Sequence, residues 1–122
     1  MTREEFDQFC TAMAHTSHVV QWGGASVWKV GGKVFAVGGW HDEGAQLHVT
    51  FKVSEMSYDL MKDQPGCRPA PYLASRGMKW IQRTDATYLD NDALKDYIAE
   101  SYRLVSLGLT KKKQKELGLN QL

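Results

Sequence analysis

The stretch ASVWKVGGKVFAVGGW, residues 25–40, decides the fold. Gly31-Gly32 separates WKV from KVFAV, and a glycine pair between two apolar runs is a hairpin signal, because primed turns need positive φ at their central positions. Residues 34–40 then form one strand, and HDEG at 41–44 turns the chain into a further strand over 46–53. There Leu47, Val49, Phe51 and Val53 alternate with Gln46, His48, Thr50 and Lys52, so one face is buried and the other is wet or covered by polar groups. Upstream, residues 19–22 and 25–30 read as one strand interrupted at Gly23-Gly24, where paired glycines suggest a bulge or bend. An antiparallel meander is expected.

Helical spacing brackets this meander. Thr2 and Glu5 form a capping box, and Phe6, Phe9, Cys10 and Met13 recur at helical intervals, predicting a first helix that ends near His15. Ser54 is a suitable N-cap for a second helix to about Asp63, carrying Met56, Tyr58, Leu60 and Met61 and stopped by Pro65-Gly66. KWIQR at 79–83 reads as a strand that rejoins the sheet, and Tyr88-Leu89 as part of a short one. The longest helix is expected from about Asp90 to Leu107, with Leu94, Tyr97, Ile98, Tyr102 and Val105 as its buried stripe. Gly108 suits a left-handed cap, and KKKQKEL after Thr110 makes a short basic helix. The order α-β-β-β-α-β-(β)-α-α predicts a single α+β domain over 1–122: a two-layer sandwich with its helices on one face of an antiparallel sheet.

Composition limits the function. With 43% apolar and 24% charged residues the chain reads as an ordinary globular protein rather than a disordered one or a coiled coil. The absence of a long apolar run or a signal-like N-terminus gives a cytoplasmic location, away from membranes, as the expectation. Two cysteines are too few to staple a secreted fold. Cys10 lies on the apolar face of the first helix, whereas Cys67 adjoins Arg68, a cation able to lower its pKa. His15 and His18 lack further ligands for a metal. His41 next to Asp42 and Glu43 is tempting for acid–base chemistry, but adjacent turn residues point in different directions. The glycine pairs match no nucleotide phosphate cradle. A non-enzymatic protein without cofactor is expected.

The segment least like plain scaffold is GCRPAPYLASRGMKWIQR, residues 66–83. It carries Arg68, Arg76, Lys79 and Arg83 without an acidic residue, together with Tyr72 and Trp80. Its prolines force extended or turning backbone. Long irregular stretches of this kind often carry function, yet Trp80 suits the core and Arg68 can anchor the loop by donating to backbone carbonyls.

WKVGGKVFAV at 28–37, RPAPYL at 68–73, KW at 79–80 and SYRLVSLGLTKKKQKEL at 101–117 together resemble the MmcQ/YjbR family of small bacterial proteins, over nearly the whole chain. The resemblance implies an α+β fold with an antiparallel sheet, likened to type III secretion chaperones and to CyaY, and DNA binding through a double wing.

The residues meet that implication halfway. Net charge is only +1, whereas phosphate binding draws on a positive excess. Charge is nevertheless clustered. Lys29 and Lys33 flank one candidate wing, Arg68, Tyr72, Arg76, Lys79 and Arg83 fall in the basic segment, and Lys111, Lys112 and Lys113 open the last helix. These ten residues are the candidate contacts for nucleic acid or another ligand. The other wing, HDEG, carries Asp42 and Glu43 and should repel DNA. A Lys-rich terminal helix also reads as a solvated face that complements the helix C-terminus. The alternative to DNA is a protein, a peptide or a small anionic ligand held on the sheet face near Tyr72 and Trp80.

Overall fold

A computed structural model describes residues 1–42, 44 and 46–121. Its elements are α1 (Arg3–Thr11), β1 (Thr16–Gln21), β2 (Ala25–Val30), β3 (Lys33–Gly38), β4 (Val49–Lys52), α2 (Glu55–Met61), β5 (Cys67–Pro69), a 3₁₀ turn (Ala74–Arg76), β6 (Trp80–Arg83), α3 (Asn91–Leu107) and α4 (Lys111–Leu117). The strands form one antiparallel sheet in the order β1-β2-β3-β4-β6-β5. Phe6 and Cys10 of α1, Met61 of α2 and Leu94, Ile98 and Val105 of α3 meet Val30, Phe51 and Ile81 in the main core, and Ala25, Val27 and Val37 form a smaller second cluster. This is the expected α+β sandwich. No described helix is long and apolar enough to cross a membrane.

The capping signals work as written. Thr2 accepts from the Glu5 amide and Glu5 accepts from the Thr2 amide, and those bonds hold the Glu5 carboxyl below its usual range. Ser54, Asp90 and Thr110 each accept an amide hydrogen bond at the start of α2, α3 and α4.

Five expectations need correction. Residues 19–30 are not one interrupted strand: Trp22, Gly23 and Gly24 all have positive φ (55°, 77° and 97°), so the chain reverses there and β1 pairs with β2 through six consecutive residues. The strand expected over 46–53 is shorter, Val49–Lys52, because Asp42 accepts the His48 amide at 2.9 Å and shapes the approach as a turn. The HDEG turn itself includes Glu43, which lies outside the described residues. Tyr88-Leu89 forms bends rather than a strand, since the Leu89 carbonyl is taken by Arg83 and Asp90 already caps α3. The first helix stops at Thr11, short of His15. Gly108 is right-handed (φ −80°), so the chain passes almost directly from α3 into α4.

One irregularity shapes the site. Trp28 faces Ala36 but Lys29 faces Val34, which leaves Phe35 as the extra residue of a bulge in β3. Its unpaired carbonyl accepts the Ser101 hydroxyl at 2.6 Å, while that oxygen accepts the Lys52 amide at 2.8 Å. Ser101 of α3 is thus wedged where β3 and β4 part, and the sheet opens toward Val105 and Gly108.

Candidate ligand-binding cleft

The pairing registers place Val19, Val27, Val37, Thr50, Gln82 and Arg68 in one row across all six strands, on the face opposite Phe51. No helix packs on this row among the described elements. A polar ladder tightens its far end instead. Gln82 donates to Thr50 Oγ1 and to the Trp40 carbonyl, and Arg68 Nε donates to Gln82 Oε1 at 2.8 Å. Arg68 Nη2 also reaches the His41 carbonyl at 3.5 Å. The ladder therefore buckles residues 40–41 over the sheet.

Those residues join a cluster of tilted aromatic rings. Trp22 lies 5.3 Å from Trp40, and Trp40 lies 6.1 Å from Tyr72, with His41 between them at 4.9 Å and 5.3 Å. Trp22, His41 and Tyr72 all hold left-handed backbones, at φ 55°, 56° and 66°. A left-handed conformation costs a side-chain-bearing residue roughly 1–2 kcal/mol, so the surrounding contacts over-determine where these rings stand. Tyr72 is nevertheless 66% exposed and Trp22 47% exposed. Large aromatic surfaces left in water on a fixed backbone are the chemistry of recognition.

Next to the aromatic cluster, where β3 and β4 part, is a cleft of about 370 Å³. Trp22, Val34, Val37, Leu73, Met78 and Trp80 make its apolar walls, and Val105 and Gly108 close one end. Two cations face it. Lys33 Nζ is held at 2.9 Å by the Gly108 carbonyl at the end of α3, a favourable place for a positive charge. Lys52 has no hydrogen-bond or carboxylate partner for its ammonium among the described residues. Lys33 and Lys52 are the ionisable groups of this lining.

Of the ten expected contact residues, Lys33 lines this cleft, and the others have different places and roles. Arg83 is the plainest correction: it is 1% exposed, and its Nη1 donates to the Leu89 carbonyl at 2.9 Å and to Asn91 Oδ1 at 3.1 Å. It locks residues 84–90 beneath the sheet end, so it cannot face a partner, and burial pulls its guanidinium below its usual range. Arg68 is the loop anchor that the sequence allowed. Lys79 lies 4.7 Å from the Tyr58 ring centre, a cation–π contact that leaves it half-buried. Lys29 shares the sheet face with Val34, which lines the cleft. Arg76 and Tyr72 stand exposed on the loop between β5 and β6. Lys111, Lys112 and Lys113 are exposed, but they occupy the first turn of α4, where the helix dipole is positive, so complementing a C-terminus does not explain them. Trp80 is core, 5% exposed, with part of its surface lining the cleft.

The cysteines are inert by position. Burial raises both thiols, and the cation near Cys67 is Arg83, whose opposing effect is the smaller one, not Arg68. Under α1, Ser26 Oγ touches His18 Nε2 at 3.3 Å and Asp7 Oδ2 at 3.4 Å, while Arg3 Nε donates to it at 3.0 Å and Trp28 Nε1 to Asp7 Oδ1 at 2.8 Å. Ser26 is 1% exposed and the histidine does not touch the aspartate, so this cluster is a clamp between α1 and the β1–β2 hairpin rather than a nucleophilic triad.

Sequence inspection missed Trp22, Trp40, Lys52, Leu73 and Met78. For Lys52 a signal existed: it falls on the polar side of the alternation in β4, the side that turned out to be covered. Trp22 was masked by the reading of Gly23-Gly24 as a bulge.

The family model described as YjbR matches residues 11–104. No curated protein matches the chain. Among solved structures, the crystal structure of Deinococcus radiodurans protein DR2400, which carries a DUF419 domain, superposes with a TM-score of 0.82 at 22% identity, covering 97% of this chain and 88% of that one. A protein from Pseudomonas syringae gives a TM-score of 0.66 at 18% identity, covering 85% of this chain and 98% of that one. At these identities the likeness is one of fold.

Proposed function

This chain belongs to the YjbR family, and from that premise we propose that it is a non-enzymatic binding protein whose ligand is an apolar organic anion seated in the Trp22–Trp80 cleft. The observation that carries the reading is Lys52, an ammonium without a described partner on the wall of an otherwise apolar cleft of about 370 Å³. An apolar body displaces water from Trp22, Val37, Met78 and Trp80, at roughly 25 cal/mol per Å² of apolar surface buried. A carboxylate or sulfonate on that body meets Lys52, and Lys33 supports it from the end of α3. The site resembles small-molecule sites generally: concave, mostly apolar, with few polar groups that fix orientation.

The test uses 1-anilinonaphthalene-8-sulfonate as the anionic probe and N-phenyl-1-naphthylamine as its neutral counterpart, with tryptophan fluorescence as readout. The sulfonate should bind saturably and change the emission of Trp22, and Lys52→Met should weaken it about tenfold, the scale of a charge-assisted hydrogen bond. The neutral probe should be indifferent to Lys52→Met. Equal loss of both probes, or no saturable binding, overturns the reading.

Nucleic acid is the second reading, supported by Arg76, Lys111, Lys112 and Lys113, which stand exposed without ion-pair partners among the described residues. Burial of Arg83 and engagement of Arg68 weaken it, as does the packing of Gly31, at the tip of the lysine-flanked hairpin, against Leu109 and Leu117. Steep salt dependence of a mobility shift, reduced when the three lysines become alanine, supports this reading; no shift of any DNA overturns it.

A further inference from the structure

The two edges of the sheet are built differently, and the difference points to a partner. β5 is three residues long and ends on Pro69, both devices that prevent another strand from pairing there. β1 has neither. Its six residues, Thr16–Gln21, pair with β2 without a bulge, and they contain no proline, lysine, arginine, aspartate or glutamate. Ser17, His18, Val19 and Val20 are all exposed, Val20 to 59%. As the end of the strand order, β1 presents one side of its backbone to no other described strand, and such a row of free N–H and C=O groups is a template for pairing.

We propose that β1 pairs antiparallel with β1 of a second copy of this chain, about a two-fold axis through Val19. Symmetry and the pleat select that register. A continuous sheet keeps the helical layers of both copies on the same side, so the two-fold axis stands perpendicular to the sheet, and residues facing each other must share a face. Because faces alternate with period two, facing residue numbers must sum to an even value, which puts the axis on a residue and never between two. Within this strand only an axis on His18 or Val19 gives five facing pairs. The first sets two imidazoles against each other. The second sets Val19 against Val19 and His18 against Val20, pairs of the β-branched and aromatic kind that stabilise antiparallel sheets. A neutral strand also meets its own copy without the like-charge repulsion that a lysine-guarded edge would impose.

The consequence reaches the cleft. The same register carries Trp22 opposite Thr16 of the second copy, and Trp22 is a cleft wall. Both clefts open on the same side of the joined sheet, so the assembled form offers two ligand sites on one surface.

Sedimentation equilibrium up to about 1 mM protein, a concentration that reveals even millimolar affinity, is the first measurement. The 13.8 kDa chain should approach twice that mass. Val19→Lys and Val19→Glu should each return the monomer, and an equimolar mixture of the two should restore the dimer, because the axis places the opposite charges face to face. Val19→Cys should oxidise to a covalent dimer faster than Val20→Cys, since only residue 19 meets itself and the native Cys10 and Cys67 are buried. Far-UV circular dichroism of each variant checks folding, and the cysteine pair reports independently if the charged variants unfold. A wild-type monomer throughout the range, a dimer indifferent to Val19→Lys, or an edge that pairs only with an added extended peptide overturns the proposal.

Discussion

The two ends of the sheet carry residues of opposite appearance and opposite fate. The β5–β6 end, with its arginines, prolines and aromatics, has the composition of a contact surface, yet Arg83 is buried, Arg68 is spent on Gln82 and His41, and Lys79 lies against Tyr58. The β1 end has the composition of an ordinary hairpin strand, and it is there that backbone and valine stand in water. Cations concentrated in an irregular segment can be what holds the irregularity in place. Loops cannot satisfy their carbonyls by a ladder, and guanidinium groups, with five donors in a planar fork, are well suited to collect them.

Arg83→Ala should show the largest effect. It removes a buried side chain and both donors from the Leu89 carbonyl and Asn91, freeing residues 84–90 and the start of α3. A loss of about 3 kcal/mol in urea unfolding is expected, from cavity and unsatisfied-group costs together. That is a large share of the 5–15 kcal/mol typical of a domain. If Arg83 instead contributes to ligand or DNA contact, the variant will keep its stability and lose binding, and the contrast between the two ends fails.

Arg68→Ala comes next, with about 1 kcal/mol expected, because Arg68 is half-buried and Gln82 keeps its bonds to Trp40 and Thr50. Its sharper signature is local. Residues 40–41 lose one tether, so hydrogen exchange should accelerate at the turn while α3 stays protected. Uniform acceleration would mean that the ladder supports the whole sheet rather than the loop above it.

How much of this was legible follows from the range of the interactions involved. Capping residues Thr2, Ser54, Asp90 and Thr110 act on amides three positions away, and all four helix starts can be read directly. The Gly31-Gly32 turn is equally local. The β1–β2 hairpin was lost because Gly23-Gly24 fits a bulge or a turn alike, and the choice depends on Trp22 accepting a left-handed backbone, with its ring tilted against Trp40 far along the chain. The site was hidden for the same reason. Its walls come from β2's preceding turn, β3, β4, the 3₁₀ loop and α3, and the gap between β3 and β4 exists only because the Phe35 bulge lets Ser101 in. Arginine numbers alone carry no indication of burial: Arg76 and Arg83 are seven residues apart in one segment, one in water and the other sealed.

Val20→Thr should have the smallest effect, and it is the change that most sharpens the contrast. Val20 is 59% exposed, and threonine preserves the β-branched shape and the strand propensity while replacing a methyl group by a hydroxyl that water can solvate. For the monomer at high dilution, urea unfolding should move by no more than about 0.5 kcal/mol, the range of surface substitutions. At β5–β6 a comparably small change, Gln82→Glu, would set a carboxylate oxygen against the Trp40 carbonyl in place of a donor while turning the Arg68 hydrogen bond into an ion pair, so it would rearrange the ladder rather than leave it as it is. A large loss for Val20→Thr would show that the β1 edge is already covered by the chain's own atoms. A neutral outcome leaves the six-residue strand with apolar surface that the monomer does not need, which is the condition that a pairing surface has to meet.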